Sequence, residues 1–118
     1  MNEYIIIAKN ADRNLPSMTA DEHSQFMKKF GAWTEALIAK KLFVRSDMLA
    51  QTFTKVGLDK NQQPLIDGPF TETKEGLNGY FLVKAESHAH AVDIAKSCPV
   101  LRFDNLEVYE IIGGTHNV

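Results

Sequence analysis

The stretch Asp67-Gly68-Pro69-Phe70-Thr71-Glu72-Thr73-Lys74-Glu75, continued by Gly76-Leu77-Asn78-Gly79-Tyr80 into Phe81-Leu82-Val83, decides how the chain is read. An acid precedes a Gly-Pro pair, an aromatic follows, and alternating hydroxyls and charges lead into an apolar run. Pro69 fixes its own φ and keeps Gly68 out of the helical region, while Gly68 opens conformations closed to other residues. The pattern predicts a signature loop with the Asp67 carboxylate at its corner, followed by a strand over about Leu77 to Lys84. A loop this dense in turn chemistry and charge is a better functional candidate than a core position.

Upstream of this stretch, Tyr4 to Ala8 is a short apolar run with three isoleucines, the pattern of a central strand buried on both faces. Thr19-Ala20-Asp21-Glu22 is a capping box, and Phe26, Phe30, Trp33 and Leu37 recur at steps of four, three and four, one stripe of a helix. Lys40 and Lys41 suit the helix C-terminus. Alternation over Ser46 to Val56 predicts a strand, Asp59 to Pro64 a polar turn, and Leu65-Ile66 a short return strand. Downstream, Ser87 caps a second helix with Ala91, Ile94, Ala95 and Cys98 on one face, Pro99 stops it, and Leu106 to Ile112 forms the last strand. Gly113 to Val118 reads as a loose tail.

The signature run resembles that of the YCII-related family, in the branch named after its DGPF motif. The residues that carry the resemblance are Asp67-Gly68-Pro69-Phe70, Glu72-Thr73-Lys74-Glu75, Gly79-Tyr80 and Ala95-Lys96-Ser97-Cys98-Pro99, and the element order fits from Tyr4 to Ile112. The resemblance implies a small homodimer of ferredoxin-like fold, a dimeric α/β barrel, in a family where most members have no established reaction. It also implies a glycine near the end of the first helix, where this chain has Lys40-Lys41-Leu42.

The element order independently describes an α+β fold: β-α-β-β-α-β with an inserted hairpin, an antiparallel sheet and two helices on one face. The other face, presented by Tyr4, Ile6, Leu82 and Val108 or by their opposite-parity neighbours, then needs a partner, and a symmetric second copy is the simplest one. With 118 residues the chain makes one domain, residues 1–118. A hydrophobic fraction of 44% and a charged fraction of 24% are ordinary for a folded soluble protein. A net charge of −2 supplies no basic footprint, so nucleic acid is not expected as a partner. The N-terminal apolar run is too short for a membrane span or a signal segment, and the single cysteine cannot close an intramolecular disulfide; both fit a cytoplasmic protein.

Candidate chemistry centres on Asp67. In a partly buried cleft it can transfer protons as a general acid or base; as a turn cap it accepts hydrogen bonds from the amides that follow, the preferred reading for Asp before Gly-Pro. The resemblance implies a His and Asp pair, to which His23 and Asp67 are matched; the helix N-terminus would favour a neutral His23, against the preferred reading as a solvated first-turn residue. Arg45 suits bidentate capture of an anion, or pairs with an acid. Phe70, Glu72, Lys74 and Tyr80 complete a candidate ligand-binding set, against readings as solvated charges or packed aromatics. His88 and His90 are spaced for different helix faces, His116 lies in the tail, and no cluster has metal spacing, so neither metal nor cofactor is expected.

The resulting expectation is a small-molecule binder with its cleft near the signature loop. The alternative is a metal-independent enzyme of lyase, isomerase or hydrolase type using Asp67. The resemblance further implies a regulatory setting, because relatives in the DGPF branch accompany extracytoplasmic-function sigma factors.

Overall fold

The computed structural model describes residues 1–11, 17–71 and 77–113. Chain order is β1 (Asn2–Asn10), α1 (Ala20–Ala39), β2 (Phe43–Met48), β3 (Phe53–Leu58), β4 (Pro64–Phe70), β5 (Leu77–Ala85), α2 (His88–Lys96), a 3-10 turn (Pro99–Arg102) and β6 (Asp104–Glu110). Four strands form an antiparallel sheet in the order β2-β5-β1-β6, and β3 pairs only with β4. This is an α+β fold consistent with the ferredoxin-like expectation.

The isoleucine run puts β1 in the sheet interior, with β-branched side chains suited to a pleated surface. Tyr4, Ile6 and Ala8 are buried, whereas Ile5 and Ile7 on the opposite parity are half-buried. The buried set packs with Phe81, Val83 and Ala85 of β5 and with one face of each helix: Leu37 of α1 and Ala91, Ile94 and Ala95 of α2. Register separates the two faces. Tyr4 pairs with Val83 on the helix side, whereas Ile5 pairs with Leu82 on the open side. Leu82 therefore does not share a face with Tyr4, Ile6 and Val108, and the uncovered face is the opposite-parity set.

Both helix starts are locally encoded. Thr19 Oγ1 accepts from the Glu22 amide at 3.1 Å and Glu22 Oε1 accepts from the Thr19 amide at 2.9 Å, the expected capping box. The backbone hydrogen bond from Thr19 holds the Glu22 carboxyl below its ordinary pKa. Ser87 Oγ accepts from the His90 amide at 3.1 Å, and His90 Nδ1 accepts from the Glu86 amide at 3.1 Å. The end of α1 answers the missing glycine. Lys41 itself takes the left-handed conformation, φ 61°. The amides of Lys41 and Leu42 donate to the carbonyls of Ile38 and Leu37, and buried Leu37 and Leu42 join one core cluster, which makes a Schellman cap. Trp33 Nε1 donates to Ser97 Oγ at 2.9 Å and ties α1 to the end of α2.

Two expected boundaries are corrected. The alternation over Ser46 to Val56 belongs to two strands, because the chain leaves the sheet after Met48. There the Leu49 amide donates to the Asn78 carbonyl at 2.9 Å, and β3 begins only at Phe53. The signature residues Asp67 to Phe70 form the second half of β4 and not a loop. Phe53 faces Phe70 and Lys55 faces Asp67, so the single residue Thr54 opposes both Gly68 and Pro69. This bulge accommodates the proline, which lacks an amide hydrogen, and Gly68 takes φ 120° in it.

The β3–β4 hairpin projects as an arm with little contact to the rest of the chain. The radius of gyration is 16.9 Å, against about 13.5 Å for a compact domain of this length. Asp59 shapes the arm's tip: its Oδ1 accepts from the amides of Asn61 and Gln63 at 2.7 and 3.0 Å.

Candidate functional site

A cavity of about 390 Å³ opens between the first half of α1 and the helix-side face of the sheet. The stripe that buries α1 also builds its wall: Phe26, Met27 and Phe30 line it, while Leu37, further along, is packed in the core. Phe81 and Ala8 contribute to the floor from β5 and β1, and Val100 and Phe103 close one end from the 3-10 turn and the residue after it. Phe26 stacks on Phe30 at 6.2 Å and meets Phe103 edge-on at 5.1 Å, so the aromatic wall is continuous.

Asn78 organises the polar end. Its Nδ2 donates to Asn10 Oδ1 at 2.7 Å and to Asp104 Oδ1 at 2.8 Å, and its Oδ1 accepts from Gln51 Nε2 at 3.0 Å. One side chain of β5 thus links β1, β6 and the connection out of β2. Asp104 is the buried charged residue of the core, and a hydrogen-bonded partner is what makes such burial tolerable. Beside Asn78, Gly79 brings β5 close to β2: a Cβ there would lie 2.7 Å from the Asp47 carbonyl oxygen. Only glycine allows this approach at the cavity floor.

Asp47 and Tyr80, at the cavity margin, belong to a charged triad with Arg45. Arg45 Nη2 and Nε donate to Asp47 Oδ2 at 2.6 and 3.0 Å, and the Tyr80 hydroxyl donates to the same oxygen. The hydrogen bond from Tyr80, then that from Arg45, lowers the pKa of Asp47. The same bond raises the Tyr80 hydroxyl, since ionisation would remove the donor, and Asp47 raises Arg45 further. Neither carboxylate at the cavity lacks a donor. No lysine, arginine or histidine is among its described lining residues.

The YCII-related domain, as a family model, matches residues 2–113. The chain belongs to the YCII-related family. No curated protein matches it.

Several sequence-predicted site residues of this YCII-related protein lie apart from the cavity. Asp67 is exposed on the arm and does not line it. Across the ribbon Asp67 faces Lys55. His23 is exposed on the first turn of α1, one turn before Phe26 and Met27, and is not a lining residue. Phe70 packs on Phe53 at the arm's base, ring centroids 5.4 Å apart, with Lys55 Nζ over its ring at 5.5 Å. Arg45 and Tyr80 come together through Asp47. Glu72 and Lys74 fall outside the described residues, as does His116. Among the described residues no three His, Cys, Asp or Glu side chains converge as a metal site. No helix among them is long and apolar enough to cross a membrane.

Asp104, Asn78 and Asp47 are the cavity residues that sequence reasoning missed. A usable signal was present for two of them. Asp104 is the acid that opens the last strand, and Asp47 alternates with Arg45 in a strand.

Proposed function

We propose that this YCII-related protein binds an uncharged, largely apolar small molecule in the cavity between α1 and the sheet. The observation that carries the reading is the cavity itself: about 390 Å³, walled by aromatics, with Asn78 and Asp104 at its polar end bonded to each other. That volume lies in the range of ligand sites, which are mostly apolar with a few fixed polar groups. No lysine, arginine or histidine is among the described lining residues, so an anionic ligand would find no cationic side chain on the wall. The cleft expected near the signature run thus lies at that run's far end, at Asn78, Gly79 and Tyr80, and not at Asp67.

The working unit in this reading is a homodimer. Its support is the open sheet face, where Ile5, Ile7 and Leu82 form an apolar centre. They are bordered by the Arg45–Asp47–Tyr80 triad on one side and by Lys9, Glu107 and Tyr109 on the other. An apolar centre within a rim rich in Tyr and Arg is the anatomy of a protein interface. Pairing of two such faces gives the dimeric α/β barrel of the DGPF branch, and the resemblance to that branch supports a cytoplasmic, regulatory setting alongside a sigma factor. The competing reading, a metal-independent enzyme with Asp67 as proton-transfer residue, requires cover over β4 that one chain does not supply.

Trp33, the single tryptophan, provides the test. Its ring lies 6.0 Å from Phe30 and 5.3 Å from Phe81, both cavity residues. Titration with the neutral probe N-phenyl-1-naphthylamine should change Trp33 emission with saturation. A Val100→Phe substitution that fills the cavity should weaken binding by about 10-fold or more. Saturable binding that is indifferent to Val100→Phe would place the ligand elsewhere.

A further inference from the structure

The arm carries an unexplained apolar face. In the β3–β4 register Val56 faces Ile66 and Leu58 faces Pro64, and these four side chains share one side of the ribbon. Val56, Ile66 and Leu58 are 71%, 70% and 62% exposed. The opposite side carries the Lys55 and Asp67 pair, Gly57 and Leu65. An isolated two-stranded hairpin is marginally stable in water, and this one has little contact with its own body among the described residues. Its apolar side has the width and continuity of a surface meant to be covered.

We infer that the arm is a docking arm whose apolar side, Val56, Leu58, Pro64 and Ile66, packs against a second copy of this chain. The inference rests on the dimer proposed above and adds a second contact to it. Area argues for this occupant. The open sheet face spans four strands about 4.8 Å apart and about seven residues long, a footprint of roughly 400–500 Å². A stable dimer buries about 800 Å² on each partner, so the sheet face alone falls short. One side of a two-stranded ribbon about 20 Å long adds roughly 200 Å², and in a two-fold dimer each subunit both gives and receives an arm. Each chain leaves both an apolar sheet face and an apolar arm face uncovered, and one symmetric partner covers both.

The arm also assigns a role to the bulge at Gly68-Pro69. The chain leaves the body after Met48 and Gln51, which line the cavity mouth, and returns at Asn78 and Gly79, which line its floor. A bulge at the base of the arm sets the direction in which the ribbon leaves that mouth.

The test is sedimentation equilibrium of the full chain over nanomolar to micromolar concentrations. The triple substitution Val56→Thr, Leu58→Thr and Ile66→Thr keeps strand propensity while removing apolar surface. It should raise the dimer dissociation constant by roughly 100-fold or more. Leu65→Thr, on the opposite side of the arm, should leave that constant within about 2-fold. Circular dichroism of the triple variant should match wild type, because none of the three residues is in the body's core. A wild type that is monomeric at micromolar concentration overturns both the dimer and the arm. A dimeric wild type with an unchanged triple variant overturns the arm alone, and equal weakening by Leu65→Thr overturns the assignment of the docking side.

Discussion

The body and the arm of this chain are both antiparallel β-structure, yet they follow different rules. In the body, alternate residues of β1 and β5 are buried beneath two helices, and Ile6 and Val83 are fully inaccessible. In the arm, the same alternation of apolar residues is exposed on a ribbon that no other element covers among the described residues. Period-two patterning therefore specifies which side of a strand is apolar, but not what covers that side. Cover in the body is intramolecular and fixes stability. Cover for the arm, in the assembly proposed above, would come from a second copy.

The largest expected difference between the two regions is in stability. Ile6→Ala removes a fully buried side chain and should cost about 2–5 kcal/mol. Leu65→Ala, on the arm's polar side, should cost about 0.5 kcal/mol or less. Urea denaturation of the two variants gives both values, and similar costs would erase the distinction between body and arm.

The glycines sharpen the same contrast. Gly79→Ala must displace the Asp47 carbonyl, 2.7 Å from the added Cβ, and should cost about 1–3 kcal/mol while disturbing the cavity floor. Gly57→Ala in the arm meets nothing within 4 Å and should be neutral or slightly stabilising, by up to about 1 kcal/mol. Thermal melts of both variants check this.

Alkaline pH probes the body alone. Burial beneath α2 pushes the Cys98 thiol from 9.0 up to about 11. The unfolded chain therefore releases this proton first. The contribution of Cys98 is complete below about pH 9 and is lost as pH rises from there through about 11. Cys98→Ala should flatten stability over that window, and thiol reagents should label folded wild type slowly. The smallest effect is expected at Asp67. Asp67→Asn on the exposed arm should change stability by about 0.5 kcal/mol or less and leave probe binding intact. Loss of binding with a preserved melting curve would return Asp67 to the site.

What was legible in the sequence was local. The Thr19–Glu22 box, the Phe26–Phe30–Trp33–Leu37 stripe and the Ser87 cap each depend on neighbours within a turn or two, and each is found where expected, whereas α2 ends at Lys96 and Pro99 opens the 3-10 turn after it. The wrong boundaries arose where a local pattern ran through a change of partner. Parity continues unbroken from Met48 to Val56 although the chain leaves one sheet and enters another ribbon. Asp-Gly-Pro is turn chemistry, yet a bulge opposite Thr54 absorbs it within a strand. The polar end of the cavity was illegible for a different reason. Asn78 meets residues 68 and 26 positions away, and single-sequence periodicity holds no trace of such pairs. The end of α1 lies between these cases: Lys41 adopts a glycine-like conformation because the Leu37 and Leu42 contact holds the cap.

The central claim is that ligand chemistry belongs to the body, at Asn78 and Gly79, and not to the arm at Asp67. Amide chemical-shift mapping during titration with N-phenyl-1-naphthylamine tests it most directly. The account predicts saturating shifts at Phe26, Phe30, Asn78, Gly79 and Asp104, with Lys55, Asp67 and Gly68 unmoved. Shifts concentrated at Asp67 and Gly68, with the α1 cavity silent, would contradict it.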